Sequence, residues 1–361
     1  MTPRQRQIAG VVSFVLFTVL VLVLPAWIGA FRAQQLAYVG IYLIALLGLN
    51  ILTGYTGQIS LGHGAFMAIG GYTTAILMAG NEQFGQEGAL AIGGGMKDVW
   101  TIPIAGLVTG LVGLAFGIPA LRLSGLYLAL ATFAIAVALP SAIKRFEEFT
   151  GGGSGLNLFG VPELTASITP VEIFGRELVF NDWLYYLCWT IALVLFAAAW
   201  LILRGRTGLA FRAVRDSETA AVSSGVSLAR YKTLAFGISA AYAGVAGSLF
   251  AIATTFVNPD TFPIALSIFL LVGVVVGGLG GLTGLVFGAV FVQFLPLWAQ
   301  GEGVFSRLPD AVVDRTKEPG AAAIIYGVVL ILLMFFLPNG VGGLIRRAGQ
   351  EMARRRYSRS A

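Results

Sequence analysis

Charge is what this sequence has least of. Only 11% of its 361 residues are Asp, Glu, Lys or Arg, and 57% are hydrophobic, where a soluble domain carries about 25% charged and about 45–50% apolar residues. Twenty-three basic and 17 acidic side chains are too few to cover a soluble particle of this size. A mean hydropathy of +0.86 makes lipid the solvent for most of the chain, which excludes a soluble enzyme, a nucleic-acid binder and a disordered chain. Cysteine is almost missing as well. Cys188 stands alone, so a disulfide framework and a cysteine-built metal cluster are both excluded; its setting, Tyr-Leu-Cys188-Trp-Thr, suits a small buried hydrophobe rather than a reactive thiol. His63 is the sole histidine. No HExxH, no GxSxG and no paired intramembrane Asp occurs, and the glycines at 151–155 are not followed by the Gly-Lys-Ser/Thr of a phosphate loop.

What is there is a series of long apolar runs. A helix needs about 20 apolar residues to cross the hydrocarbon, and ten stretches meet or approach that length: 8–31, 36–53, 61–80, 101–121, 125–143, 183–203, 233–255, 264–282, 284–300 and 321–337. None contains Asp, Glu, Lys or Arg. The first follows Arg4 and Arg6 as a signal peptide would, but its length and the lack of a small-x-small site predict a retained span. The pair over 264–300 also reads as one broken helix pair. The predicted fold class is therefore an all-α polytopic membrane protein of about ten helices, a single membrane domain over 1–361.

Charge orients the bundle. With ten crossings and both termini inside, the cytoplasmic side holds fifteen basic residues against three acidic ones (Asp216, Glu218 and Glu351), leaving eight basic and fourteen acidic outside. That excess of Lys and Arg is the bias that sets orientation. Residues 144–182 then form an outer loop, 204–232 a cytoplasmic loop and 346–361 a basic cytoplasmic tail.

Proton-coupled transporters and voltage sensors place ionisable side chains within the membrane; here only His63 qualifies. Any uphill work must draw on energy from outside the chain, or on sodium bound by backbone carbonyls. Small residues four apart, as in Gly106/Gly110, Gly113/Gly117, Gly244/Ser248 and Gly280/Gly284/Gly288, predict close helix packing. The denser run Gly277-Gly-Leu-Gly-Gly-Leu-Thr-Gly284 predicts a break, because so many glycines destabilise a continuous helix and unwound backbone must then face protein or a water-filled path.

Two segments carry the candidate residues. The stretch from Asn50 to Thr74 places polar Gln58, Ser60 and His63 where one span ends and the next begins. Two readings stand side by side: a polar collar lining a substrate path, or an inter-helix hydrogen-bond set at a turn. Tyr72 is a fourth candidate, with a structural role weighed above a functional one. The cytoplasmic segment contains Arg212, Arg215, Asp216, Glu218, Ala220, Ala221 and Gly225. Asp216 or Ser217 is placed to N-cap a short helix, Ala220 and Ala221 give it a nearly flat face, and Gly225 ends it. Such a helix suits docking into a groove on a soluble partner; the alternative is an ordinary basic loop.

These residues resemble the LivM-type permeases of branched-chain amino-acid ABC importers. The resemblance rests on Thr53-Gly-Tyr-Thr-Gly-Gln-Ile-Ser-Leu-Gly-His-Gly-Ala-Phe66, on Leu123-Ser-Gly-Leu-Tyr-Leu-Ala-Leu-Ala-Thr-Phe133 with Thr150-Gly-Gly-Gly-Ser-Gly-Leu, and on Gly208–Gly225, which is similar to the family's EAA-like coupling loop. Arg230-Tyr-Lys-Thr-Leu-Ala-Phe, Gly277-Gly-Leu-Gly-Gly and Leu337-Pro-Asn-Gly340 extend it over roughly 36–345. It implies an inner-membrane permease paired with a second, LivH-like permease. It further implies two cytosolic LivG/LivF-like ATPase subunits docked around Arg212–Gly225 and a periplasmic substrate-binding protein at the outer face. On that reading the chain itself holds no cofactor, since ATP and Mg belong to the partner ATPases, and it binds no nucleic acid. Glu218, Ala220, Ala221 and Gly225 would serve coupling, with Gln58, Ser60 and His63 near the path. Two departures stand out: Ser223-Ser224 precedes Gly225 where the family often has larger or apolar residues, and the outer segment 300–320 is long and charged. Related permeases take urea, short amides or aromatic acids, which are kept as alternative substrates; a sodium-coupled carrier is the alternative class.

Overall fold

The computed structural model describes residues 17–19, 21, 23–27, 29–78, 96–123, 125–158, 171–173, 176–299, 327–328, 331–332, 335 and 340–344. Most of the first and last predicted spans, the loops at 81–95 and 300–320, and the basic tail lie outside the described residues. Besides the single helical turn Glu147–Thr150, ten α-helices define the described part: α1 (Ala30–Leu49), α2 (His63–Met78), α3 (Asp98–Ala120), α4 (Leu126–Arg145), α5 (Phe180–Arg204), α6 (Arg206–Asp216), α7 (Glu218–Ser223), α8 (Leu228–Thr254), α9 (Ile264–Gly277) and α10 (Leu285–Ala299). Eight of them fall on the second to ninth apolar runs of the sequence. Among the described residues six helical segments are long and apolar enough to cross a membrane: Phe31–Tyr55, Asp98–Ala120, Leu126–Arg145, Phe180–Arg204, Leu228–Thr254 and Pro259–Gly277.

Helix α8 is the axis of the bundle. Lipid offers no hydrophobic drive for helix association, so close backbone approach and dispersion must supply it, and α8 is built for that from alanine, glycine and serine. Against it lies α3, whose Gly106, Gly110, Gly113 and Gly117 face Val245, Ala241, Ala240 and Thr233 in reverse order, making the two helices antiparallel. Helix α2 crosses at Gly70 and Gly244, where backbone meets backbone and a β-carbon on either residue has no room; Thr74 Oγ1 and Ser248 Oγ share a hydrogen bond of 2.6 Å beside the crossing. Helix α1 is buried along most of its length between α8, α5 and α10. Tyr242 Oη donates to the Leu195 carbonyl (2.8 Å) and Trp189 Nε1 to the Leu36 carbonyl (3.0 Å), while Cys188 packs buried against Gly40.

Helices α9 and α10 form the predicted broken pair. The chain leaves the helix at Gly277, takes positive φ at Gly278 (103°) and Gly280 (72°), and re-enters at Leu285. Gly277 meets Gly284 and Gly273 meets Gly288 along the seam, so the two run antiparallel as a hairpin. At about 1.5 Å per residue, 14 and 15 residues make each arm roughly 21–23 Å long.

The described residues are mostly helical, in line with the all-α expectation, and strand occurs among them only as short pairs in the loops. Two short antiparallel pairs occur in the loops, β1 (Leu156–Asn157) with β4 (Phe256–Val257), and β2 (Val171–Ile173) with β3 (Arg176–Leu178). The first ties the segment after α4 to the segment after α8, and Lys144 faces Asp260 across the same edge at 3.8 Å. Loop backbone near a membrane still needs partners for its N–H and C=O groups, and strand pairing supplies them where no helix continues.

Candidate functional site

The end of α1 is where polar groups gather. From Asn50 to Tyr55 the helix widens into a π turn with every residue buried, a local irregularity that is rare and concentrates at functional sites. The chain then closes on itself. Thr56 Oγ1 and the Gln58 amide both donate to the Leu52 carbonyl (2.6 and 3.2 Å), Thr53 Oγ1 donates to the Gln58 carbonyl (3.1 Å), and Gln58 Nε2 donates to Thr56 Oγ1 (3.0 Å). Gly57 supplies the positive φ (72°) this fold-back requires. Ser60 Oγ accepts from the Gly62 amide (3.3 Å). Two further bonds dock the entry to α2 on its neighbours: the Leu61 amide donates to Thr132 Oγ1 of α4 (2.9 Å), and the Gly64 amide to Ser267 Oγ of α9 (2.9 Å). His63 is 1% exposed, its ring below Gly48 of α1. Its Nε2 lies 2.9 Å from the Ala45 carbonyl; a carbonyl only accepts, so this nitrogen carries the proton.

Gln58, Ser60 and His63 are thus brought together, each buried and bonded to the chain's own atoms. Tyr72 stands apart from them. It lies nine residues further along α2, about 13 Å by helix rise, and is buried with no hydrogen-bond partner for its Oη among the described residues.

The second cluster is the predicted coupling segment. Helix α6 turns Ala210, Phe211 and Val214 inward, Phe211 packing edge-on against Tyr231. Arg212 is partly buried on the same helix, and Asp216 pairs with its neighbour Arg215 (3.3 Å). Of the two proposed caps, Ser217 takes the role: its extended backbone breaks the chain between α6 and α7, and its Oγ accepts from the Ala220 amide (3.3 Å). Gly225 at φ 82° ends the element, with the Val226 amide returning to the Ala221 carbonyl (2.9 Å) as in an αL-terminated helix. The flat face differs from expectation. Ala220 is exposed but Ala221 is buried, because neighbouring helix residues point about 100° apart. The outward face is Thr219, Ala220 and Val222, the last 54% exposed. Glu218 forms an ion pair with Lys232 of α8 (2.6 Å), whose side chain is only 7% exposed.

The clusters meet. Arg215 Nη1 donates to the Gly54 carbonyl at 2.8 Å, while Asn50, four residues back, accepts from the Gly280 amide (3.0 Å) and donates to the Gly281 carbonyl (3.1 Å). One site therefore joins the coupling segment, the π-helical end of α1 and the glycine break of the hairpin. Among the described residues no group of His, Cys, Asp or Glu is disposed to hold a metal.

Residues 31–337 match the family described as the branched-chain amino acid transport system permease component. The chain belongs to this permease family. It is 37% identical over 317 residues to the high-affinity branched-chain amino acid transport system permease protein LivM of Salmonella typhimurium, and 35% identical over 316 residues to the protein of the same name from Escherichia coli. Each alignment covers 83% of this chain and 67% of the relative. No solved structure matches it significantly. The permease is accordingly a multi-pass membrane transport protein, with its helices on the apolar runs read from the sequence.

Three residues of the site were missed in the sequence. Asn50 lies inside a predicted span and is the one carboxamide in 36–53, a visible signal for a partner elsewhere. Gly54 and Lys232 offered no such sign, since one acts through its carbonyl and the other looked like any inside-facing lysine.

Proposed function

We propose that this permease is the membrane-spanning subunit of an ATP-driven ABC importer of branched-chain or other neutral amino acids in the bacterial inner membrane. It forms the translocation path with a second, LivH-like permease. Ten spans place both termini in the cytoplasm, α6 and α7 face two LivG/LivF-like ATPase subunits, and a periplasmic binding protein delivers substrate at the opposite face. The chain catalyses nothing; ATP and Mg are handled by the partner subunits. The observation that carries this reading is α7, a capped six-residue helix that presents small side chains outward while Glu218 and Lys232 hold it to α8. Being tethered to the bundle yet open to a partner is what a transmitting contact needs. The apolar helix interiors suit a net-neutral solute with an apolar side chain, in keeping with the branched-chain amino acid transport systems to which the LivM relatives belong.

Proteoliposomes containing the full chain with its co-purified partners provide the test. Radiolabelled leucine should accumulate with internal Mg-ATP and not with a sodium gradient alone. Sodium-driven uptake with no ATPase subunit bound would overturn the reading in favour of a secondary carrier; uptake of urea or a short amide in place of leucine would correct the substrate alone.

A further inference from the structure

Arg215 sits on the segment assigned to ATPase contact, where its Nε and Nη2 face the exposed Asp216 at 3.3 Å, yet the third nitrogen of its guanidinium reaches into the membrane domain. Its Nη1 holds the Gly54 carbonyl at 2.8 Å. Gly54 belongs to the last turn of the π-helical end of α1, where carbonyls lack intrahelical partners and the helix dipole presents partial negative charge that favours a cation. The same guanidinium borders the glycine break: a β-carbon on Gly280 would lie 3.2 Å from Nη1 and 3.3 Å from the Gly54 carbonyl oxygen. On the far side of that contact Asn50 clasps Gly280 and Gly281 through both atoms of its carboxamide. These are unwound backbone groups, which need partners where the helix no longer supplies them. The aliphatic stem of Arg215 packs on Gly57 as well, so the residue touches the π turn, the fold-back after it and the hairpin tip.

We infer that Arg215 is a positioning residue of the transport cycle rather than a docking contact, carrying movement of the ATPase-facing helices to the cytoplasmic ends of α1 and the α9–α10 hairpin through Gly54, with Asn50 joining those two ends. This rests on the importer reading above. The path is short and directed: α7 joins α6 through the single extended residue Ser217, and α6 ends at Arg215 and Asp216. Two other ties, the Glu218–Lys232 ion pair and the edge-on contact of Phe211 with Tyr231, lead instead to α8. A partner that displaces α7, and α6 with it, therefore acts on the central helix through that ion pair and ring contact, and on the two broken helix ends through Arg215. Gly280 at φ 72° and the π turn are the elements with backbone freedom to respond.

The experiment compares wild type, Arg215→Gln and Arg215→Lys as full complexes in proteoliposomes, reading leucine uptake and ATP hydrolysis in the same vesicles. Arg215→Gln is expected to keep its ATPase subunits and hydrolyse ATP while uptake per ATP falls by about tenfold, within the range of couplings between distant sites. Arg215→Lys, which keeps the charge but not the planar fork, should recover part of that ratio and carries the test if the glutamine variant does not assemble. A second readout is a thiol at the break: in Leu279→Cys, where the side chain is 48% exposed, maleimide labelling should respond to ATP plus vanadate, and the response should vanish in the Arg215→Gln background. An unchanged ratio, or uptake and hydrolysis falling together, overturns the inference. If the wild-type complex shows no ATP-driven uptake, it is the importer reading that fails first.

Discussion

His63 illustrates how a polar side chain deep in a membrane protein is settled by what it touches. Its ring fills the space left by Gly48, and its Nε2–H is spent on the Ala45 carbonyl, so no face of it is left for a solute. Replacing it with alanine removes the bond and opens a void between α1, α2 and α8. The expected loss is about 1–3 kcal/mol, from a membrane hydrogen bond of modest worth plus the cavity. Thermal unfolding in detergent should register that loss, while the KM for leucine uptake stays at the wild-type value; a several-fold rise in KM at unchanged stability would put the ring in the path instead. Tyr72 is the contrasting case, buried without a partner for its hydroxyl among the described residues. Sequence alone left His63 undecided for a physical reason. A histidine between two glycines has the same signature whether its ring meets a solute or a backbone carbonyl eighteen residues away.

At the scale of elements, legibility followed locality. The break at Gly277–Gly284, the cap at Ser217 and the stop at Gly225 all came through because glycine's positive φ and a serine's short acceptor act within a few residues of themselves. Long-range partners did not. Asn50 finds Gly280 some 230 residues on, and β1 meets β4 across 100 residues with only two residues on each side. In lipid the hydrophobic pattern is also less informative, since side chains facing acyl chains and side chains facing other helices are equally apolar; this is why the spans could be read but not their neighbours. Helix α7 lends itself to a direct check at this scale. Val222 is exposed on its outward face, and Val222→Asp leaves the Ser217 cap and the Glu218–Lys232 pair in place. The permease should fold and reach the membrane, while recovery of ATPase subunits on co-purification drops by about tenfold or more, the consequence of burying an unpaired carboxylate at an interface. Undiminished recovery would move the docking face away from α7.

For the whole molecule, the helix ends sort into two groups that agree with alternating crossings. Gly54, Arg215, Lys232 and Gly280 gather at one end of the bundle, and Lys144, Asn157, Phe256 and Asp260 at the other. On the proposed orientation, which rests on the excess of Lys and Arg, the first group faces the cytoplasm. Because Cys188 is buried and alone, single added cysteines report cleanly on that assignment. In intact cells an impermeant maleimide should label Gly153→Cys, on the exposed loop after α4, and should label Ser224→Cys only after the membrane is opened. The reverse result would invert the molecule and place α7 out of reach of any cytosolic subunit.

The clasp between Asn50 and the glycine break has a bearing on biosynthesis. Its two halves are made far apart in time: at about 5–20 residues per second, the 230 residues that separate them take roughly 10–50 s to translate. Through that interval α1 carries a carboxamide, and Gly54 a loose carbonyl, whose final partners do not yet exist. The nascent chain must shelter them at an interface, in the insertion machinery or against provisional neighbours. An aliphatic residue at position 50 would ease early insertion and spoil the finished assembly, so the demands of being made and of working pull on this one side chain in opposite directions.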